Sequence, residues 1–377
     1  MPVQYSSKEV DFWIVTSELS NSCGICKAVS TFTFALGGTG IVFTREYDSS
    51  SQTINDGWEV DVTSSRRRLF YGYADLVYGL KAHKSKGALI LNTHDILAAI
   101  SSSLYRIFIN NEARIIATVY DPSVISPKRV SDRFLLILFK SLIRLGVITA
   151  VMVLDGRMER IARDKLHARR VRIIRIGVHP NFLKLDLNSK KKLSGKFRLY
   201  FQATIRSARR IEDVLEAIGM IESNLESKLE FIIGGEILDR SYYETIKKKA
   251  STLQSEVRFL NVLMDETEVM NHYRDCDIFI WPPSPQTWGL APLEAMAFEK
   301  PVIVTTGSGV SEVLNSSVAL VVPADSPSEL ALAITKLIQD DDFRKSIAKN
   351  AREFIFQEMN FTNTGHQLRE MIGEFLN

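Results

Sequence analysis

The chain has few cysteines, no long apolar run and almost no net charge, and each shortage removes a class of protein. Three cysteines in 377 residues make no disulfide framework and suit a reducing compartment. Cys23 and Cys26 form a lone CxxC, but no second CxxC or nearby histidine pair completes a zinc set. They read as two small residues where a loop enters a helix. The most apolar stretch, 134–154, is broken by Lys140, Arg144 and Gly146. It falls short of the roughly 18 uninterrupted apolar residues that a membrane-spanning helix needs. Residues 1–10 are polar where a secretory signal would carry its apolar core, so a cytoplasmic protein is expected. With 47 Lys and Arg against 44 Asp and Glu, the net charge of +3 is too small to argue for a nucleic-acid partner.

What remains is an ordinary globular composition in a chain too long for one core. Short apolar or β-branched runs at 12–15, 40–44, 88–91, 115–119, 150–154 and 171–176 alternate with helical patterns at 24–36, 95–108, 130–145 and 157–166. Residues 45–68, Ser-rich and ending in Arg66, Arg67 and Arg68, read as an exposed loop. The lysine-rich stretch that follows Asn181 reads as a linker closed by Gly195. Beyond it the alternation restarts, with strands expected at 199–202, 229–233, 257–260, 278–281, 302–305 and 319–322. The expectation is an α/β chain of two doubly wound domains, 1–182 and 198–377, joined by a linker over 183–197, with the last helix able to pack back on the first domain. Such halves place a ligand in the crevice at the carboxyl ends of their strands.

The densest chemistry lies in residues 281–313, WPPSPQTWGLAPLEAMAFEKPVIVTTGSGVSEV. A strand runs into a Pro-rich loop and a helix, then a second strand runs into a Gly-Ser-Gly turn. Helix starts of this kind aim backbone N–H groups at a pyrophosphate or at sugar hydroxyls. Glu294, read as a helix-surface residue, is suited to accept from both hydroxyls of a ribose.

The segment resembles the donor site of glycosyltransferase family 4, whose pattern is Glu, seven residues, Glu, within a Leu-Glu-Ala-Met-Ala run matched here by 293–297. The resemblance implies the GT-B fold and a retaining, metal-independent transfer of a hexose from a UDP- or GDP-sugar to a glycan, lipid-linked or other acceptor, with no cofactor. It assigns the ribose to Glu294 and places Gln286 where the family has its first glutamate. Trp288, Gly289 and Leu290 would line the sugar, and N–H groups near Ser308 would meet the phosphate. Residues 201–217 are similar to the family's diphosphate-neutralising strand-loop-helix. Ala203 and Thr204 stand in place of its Gly-Arg pair, Arg209 takes the place of its lysine, and Arg206 is able to supply the missing charge. Gly234, Gly235 and Val262 match turns beside the base.

In the first half, Gly24 is the one glycine offered to the family's Gly-rich loop, and Tyr120 occupies the place of its histidine near the reacting carbon. His94 ends a neighbouring strand. Asp275-Cys276-Asp277 is similar to a metal-binding Asp-x-Asp, but it reads better as a helix-to-strand turn. The basic amphipathic stretch 134–145 has two readings, a helix covering the sheet and a peripheral membrane contact at the inner face, of which the first is preferred. The departures at Gln286, Tyr120 and Thr204 leave open a catalytically silent nucleotide-sugar-binding subunit, and the fold leaves open a nucleotide-sugar epimerase.

Overall fold

The computed structural model describes residues 10–16, 18–19, 24–44, 46–47, 54–62, 71–85, 87–127, 129–184, 196–224, 228–260, 266–285 and 288–376. The chain divides into two compact units, one of Met1–His179 with Phe361–Asn377, the other of Pro180–Asn360. The division falls just before the expected linker, of which 185–195 lie outside the described residues.

The first unit carries β1 (Val10–Val15), β2 (Glu18–Leu19), α1 (Gly24–Leu36), β3 (Gly40–Thr44), β4 (Glu46–Tyr47) and β5 (Trp58–Val62). It continues with α2 (Tyr71–Ala82), β6 (Ala88–Thr93), α3 (Ile96–Phe108), β7 (Arg114–Thr118), α4 (Val130–Arg144), β8 (Ala150–Val153), α5 (Gly156–Asp164) and β9 (Val171–Ile173). Its seven-stranded sheet is parallel, in the order β5-β3-β1-β6-β7-β8-β9. A parallel sheet is covered on both faces, so β6 and β8 are nearly continuous apolar runs with almost every residue buried. The expected loop over 45–68 is corrected in part: β5 pairs with β3 along its length, and Trp58 is buried against Gly40.

The second unit carries α6 (Pro180–Leu183), β10 (Phe197–Gln202), α7 (Ile211–Ile221), β11 (Leu229–Gly234), α8 (Arg240–Ala250), β12 (Glu256–Phe259) and α9 (Glu266–Asp275). After these come β13 (Ile278–Trp281), α10 (Leu290–Ala297), β14 (Val302–Thr305), β15 (Leu320–Val322), α11 (Pro327–Gln339) and α12 (Asp341–Gln357). Its six strands are parallel in the order β12-β11-β10-β13-β14-β15. Asp277 makes the helix-to-strand turn before β13, where its carboxylate accepts the Arg198 N–H at 2.8 Å.

The last helix, α13 (Phe361–Leu376), belongs to the first unit and packs on α1. Beyond β9 the backbone of 175–177 is completed by α13 side chains. Gln367 accepts the Arg175 N–H at 3.0 Å, and Thr364 accepts the Gly177 N–H at 2.8 Å while donating to the Arg175 carbonyl at 3.2 Å. Buried peptide groups require such partners.

Helix α4 both meets and exceeds its expected role. Leu136, Phe139, Leu142 and Ile143 are buried against the first unit's core, whereas Val130, Phe134 and Ile137 are exposed.

Candidate functional site

In a doubly wound sheet, ligands bind beyond the carboxyl ends of the strands where the order reverses. In the second unit that point lies between β10 and β13. The segment leaving β10 is fixed there by a backbone exchange: the Ile205 N–H donates to Glu236 at 2.7 Å, and its carbonyl accepts from Leu238 and Asp239 at 3.1 Å each. The close approach depends on Gly235, whose φ is +137° and where a Cβ would sit 1.9 Å from the Ala203 carbonyl oxygen. A 3-10 turn, Ser207–Arg209, then presents two arginines. Arg209 is buried, with its guanidinium 5.8 Å from the Trp281 ring centroid and long contacts of 3.4 Å to the Thr204 carbonyl and hydroxyl. Arg206 is half-buried, and its Nε has no hydrogen-bond partner.

The loop leaving β13 is held against this turn. The Ser284 N–H donates to the Ala208 carbonyl at 3.2 Å, and the Thr305 hydroxyl donates to the Pro283 carbonyl at 3.1 Å. Trp281 is the hub. Its indole N–H donates to Ser308 Oγ at 2.9 Å, and Gly289 lies so close that a Cβ would sit 2.8 Å from the ring. Ser308 therefore supports Trp281 with its side chain, while its own N–H closes a turn on the Thr305 carbonyl at 3.1 Å. Trp288 is buried and Leu290 half-buried at the start of α10. Glu294 is not on the helix surface as expected. It is 4% exposed and accepts the Tyr273 hydroxyl at 2.8 Å. Burial first, and then the Glu294 charge, push the Tyr273 phenol well above its ordinary pKa and keep it a donor.

The corresponding point of the first sheet lies between β1 and β6. The His94 N–H donates to the Val15 carbonyl at 3.0 Å, and Asp95 caps α3 through the Ala98 N–H at 2.8 Å. Sequence reasoning named Tyr120 and His94 separately. The structure brings them together, with Tyr120 Oη 2.5 Å from His94 Nδ1 and Asn92 Oδ1 2.8 Å from His94 Nε2. The Asn92 amide nitrogen donates to the Ile116 carbonyl and the Thr118 hydroxyl, which fixes Oδ1 as an acceptor. Nε2 must then carry the imidazole proton, and Nδ1 accepts from Tyr120. Burial lowers the His94 pKa to about 3 and raises that of Tyr120 well above its usual value.

Gln286, Val262, Cys23 and Arg66–Arg68 lie outside the described residues, and Gly24 is seen as the first residue of α1. Cys26, read as a small residue where a loop enters a helix, is disulfide-bonded, and Cys276 is a buried thiol that donates to the Tyr273 carbonyl at 3.3 Å. Among the described residues no group of three or more His, Cys, Asp or Glu is placed to hold a metal ion.

Residues 185–354 match the profile of the family described as glycosyl transferases group 1. An uncharacterized glycosyltransferase of Methanocaldococcus jannaschii is 23% identical over 206 residues, which is 52% of this chain and 51% of that protein. The alignment thus spans about half the length of that relative. Anabaena HepE, solved in complex with UDP and glucose, superposes with a TM-score of 0.76 at 15% identity, over 97% of this chain and 100% of that one. Sucrose-phosphate synthase from Thermosynechococcus elongatus superposes with a TM-score of 0.71 at 18% identity, over 97% and 99%. Residues 185–354, which hold Arg206, Arg209 and Glu294, are similar to glycosyl transferases group 1, and the two parallel sheets of the chain have the GT-B fold of the superposed structures.

Proposed function

We propose that the protein is a hexosyltransferase that binds a nucleotide sugar on its second unit and passes the sugar, with retention and without a metal ion, to a glycan or lipid-linked acceptor at the inner face of a membrane. The observation that carries this reading is the turn of Arg206 and Arg209 at the β10/β13 switch point, framed by Trp281. Two guanidinium groups there stabilise the negative charge that develops on a departing diphosphate, usually the largest catalytic term. They do so without a cation, which is the basis for metal independence. Glu294, held in place by Tyr273, is the acceptor for the ribose hydroxyls. HepE was solved with UDP and glucose, so UDP-sugars lead the donors to be tested.

The test is to incubate the protein with UDP-glucose, UDP-N-acetylglucosamine and GDP-mannose in EDTA, with and without glycan and phospholipid acceptors, and to follow nucleoside diphosphate release. Acceptor-dependent release that survives EDTA is expected. Affinity without turnover for every donor would make the chain a silent binder, and conversion of the donor sugar without acceptor would make it an epimerase.

A further inference from the structure

Seven of the thirteen large apolar side chains that the described residues expose lie between Ile107 and Leu145. Soluble monomers seldom gather such groups in one place unless the patch meets a partner. On a helix that turns about 100° per residue, Val130, Phe134 and Ile137 fall in one stripe of α4, and Leu145 extends it past the helix end. Their exposures are 81%, 67%, 63% and 78%. The stripe points away from Leu136, Phe139 and Ile143, which cover the sheet. Phe108, 77% exposed, ends α3, the helix that packs beside α4. There the Arg106 guanidinium donates to the Val147 carbonyl at 2.6 Å and ties α3 to the turn after α4.

The charges of α4 are arranged to one side of this stripe. Arg133, Lys140 and Arg144 recur at intervals of seven and four residues and so form a row along its edge. None of the three has an ion-pair partner among the described residues. The one acid of the helix, Asp132, falls on the core side of the row and accepts from Ser131 at 3.2 Å.

We propose that this face of α4, with Phe108, docks on an anionic lipid bilayer. An interfacial helix buries apolar side chains about 5–10 Å into the headgroup and acyl boundary while long basic side chains reach the lipid phosphates, and the stripe and row supply both halves. An exposed helix face with cations along one edge and no acid of its own on the outer side complements a negatively charged plane. The inference does not depend on the donor site, and no helix among the described residues is long and apolar enough to cross a membrane.

Co-sedimentation of the full chain tests it with vesicles of phosphatidylcholine alone and of equal parts phosphatidylcholine and phosphatidylglycerol. Binding is expected to the mixed vesicles only and to weaken as salt rises. Phe134→Ser with Ile137→Ser, and separately Arg133→Glu with Arg144→Glu, should each weaken it by about tenfold or more. These residues are exposed, so thermal midpoints should stay near that of the parent. Equal binding by both vesicle types, or by parent and variants, overturns the proposal. Sedimentation velocity provides a second arm: a dimer that the Phe134 and Ile137 changes dissociate, in a protein that ignores vesicles, would assign the face to a second copy.

Discussion

Tyr120 donates its phenol hydrogen to Nδ1 of His94 across 2.5 Å, so the hydroxyl proton of Tyr120 is committed inward. The remaining lone pairs of Tyr120 can accept a hydroxyl. Donation to a sugar would require breaking a bond to a buried imidazole.

Tyr120→Phe is therefore expected to act in two ways. It leaves Nδ1 of a buried histidine without its donor, which costs about 1–3 kcal/mol of stability. It also lowers kcat for sugar transfer while leaving the donor KM nearly unchanged, because the donor contacts proposed above lie on the second unit. Denaturant unfolding measures the first effect and steady-state kinetics the second. A rise in donor KM at constant kcat would place Tyr120 in uniform donor binding instead.

The His94 pKa of about 3 makes a pH prediction with a definite sign. An unfolded histidine titrates near 6.5, so below that pH the unfolded chain binds a proton that the folded chain refuses. The stabilising contribution is complete above about pH 6.5 and is lost as pH falls toward 3, at up to about 1.4 kcal/mol per pH unit. Urea unfolding at pH 7 and pH 5 should show the loss, and His94→Gln should reduce the difference between the two pH values. Parallel profiles for parent and variant would mean that His94 is not the group responsible.

Glu294 and Tyr273 can be separated by conservative exchange. Glu294→Gln keeps an acceptor for the Tyr273 hydroxyl and should leave stability within about 1 kcal/mol, yet weaken UDP binding through loss of the charged acceptor. Glu294→Ala strands a buried phenol and is expected to destabilise by about 1–3 kcal/mol. Calorimetry with UDP and thermal unfolding read the two effects. If the Gln variant binds UDP as the parent does, Glu294 serves Tyr273 and the ribose is held elsewhere.

Much of the fold was legible because strands buried on both faces spell continuous apolar runs, as in Ile278–Trp281 and Ala150–Val153. The edge strand Trp58–Val62 was not legible. Of its five residues only Trp58 is buried, and it carries acids that read as loop. Helix α2 was also missed, since YGYADLVYGLKA is rich in Tyr and Gly and poor in strong helix formers. At the site, the spacing around Glu294 identified the residue but not its burial, because Tyr273 comes from the preceding helix. Likewise Tyr120 and His94 are 26 residues apart and meet only because β6 and β7 are neighbours in the sheet. Strand order is a tertiary outcome that local periodicity does not encode.

The two arginines of the 203–209 segment should respond differently to removal, because only one is built into the fold. Arg209 is buried over the Trp281 indole and against Thr204, so Arg209→Ala removes packing together with charge and should lower both the unfolding temperature and UDP affinity. Arg209→Lys should restore little, since an ammonium group does not lie flat on an indole. Arg206 has no partner at Nε and contributes less to the fold. Arg206→Ala is expected to change stability by less than about 0.5 kcal/mol. Loss of a hydrogen bond between charged groups costs about 1.5–3 kcal/mol, so the same variant should weaken UDP binding by roughly tenfold to a hundredfold. Titration calorimetry with UDP and scanning calorimetry of the free protein separate the two effects. Should Arg206→Ala and Arg206→Glu both bind UDP like the parent, the segment does not carry the diphosphate and the proposed donor site is misplaced.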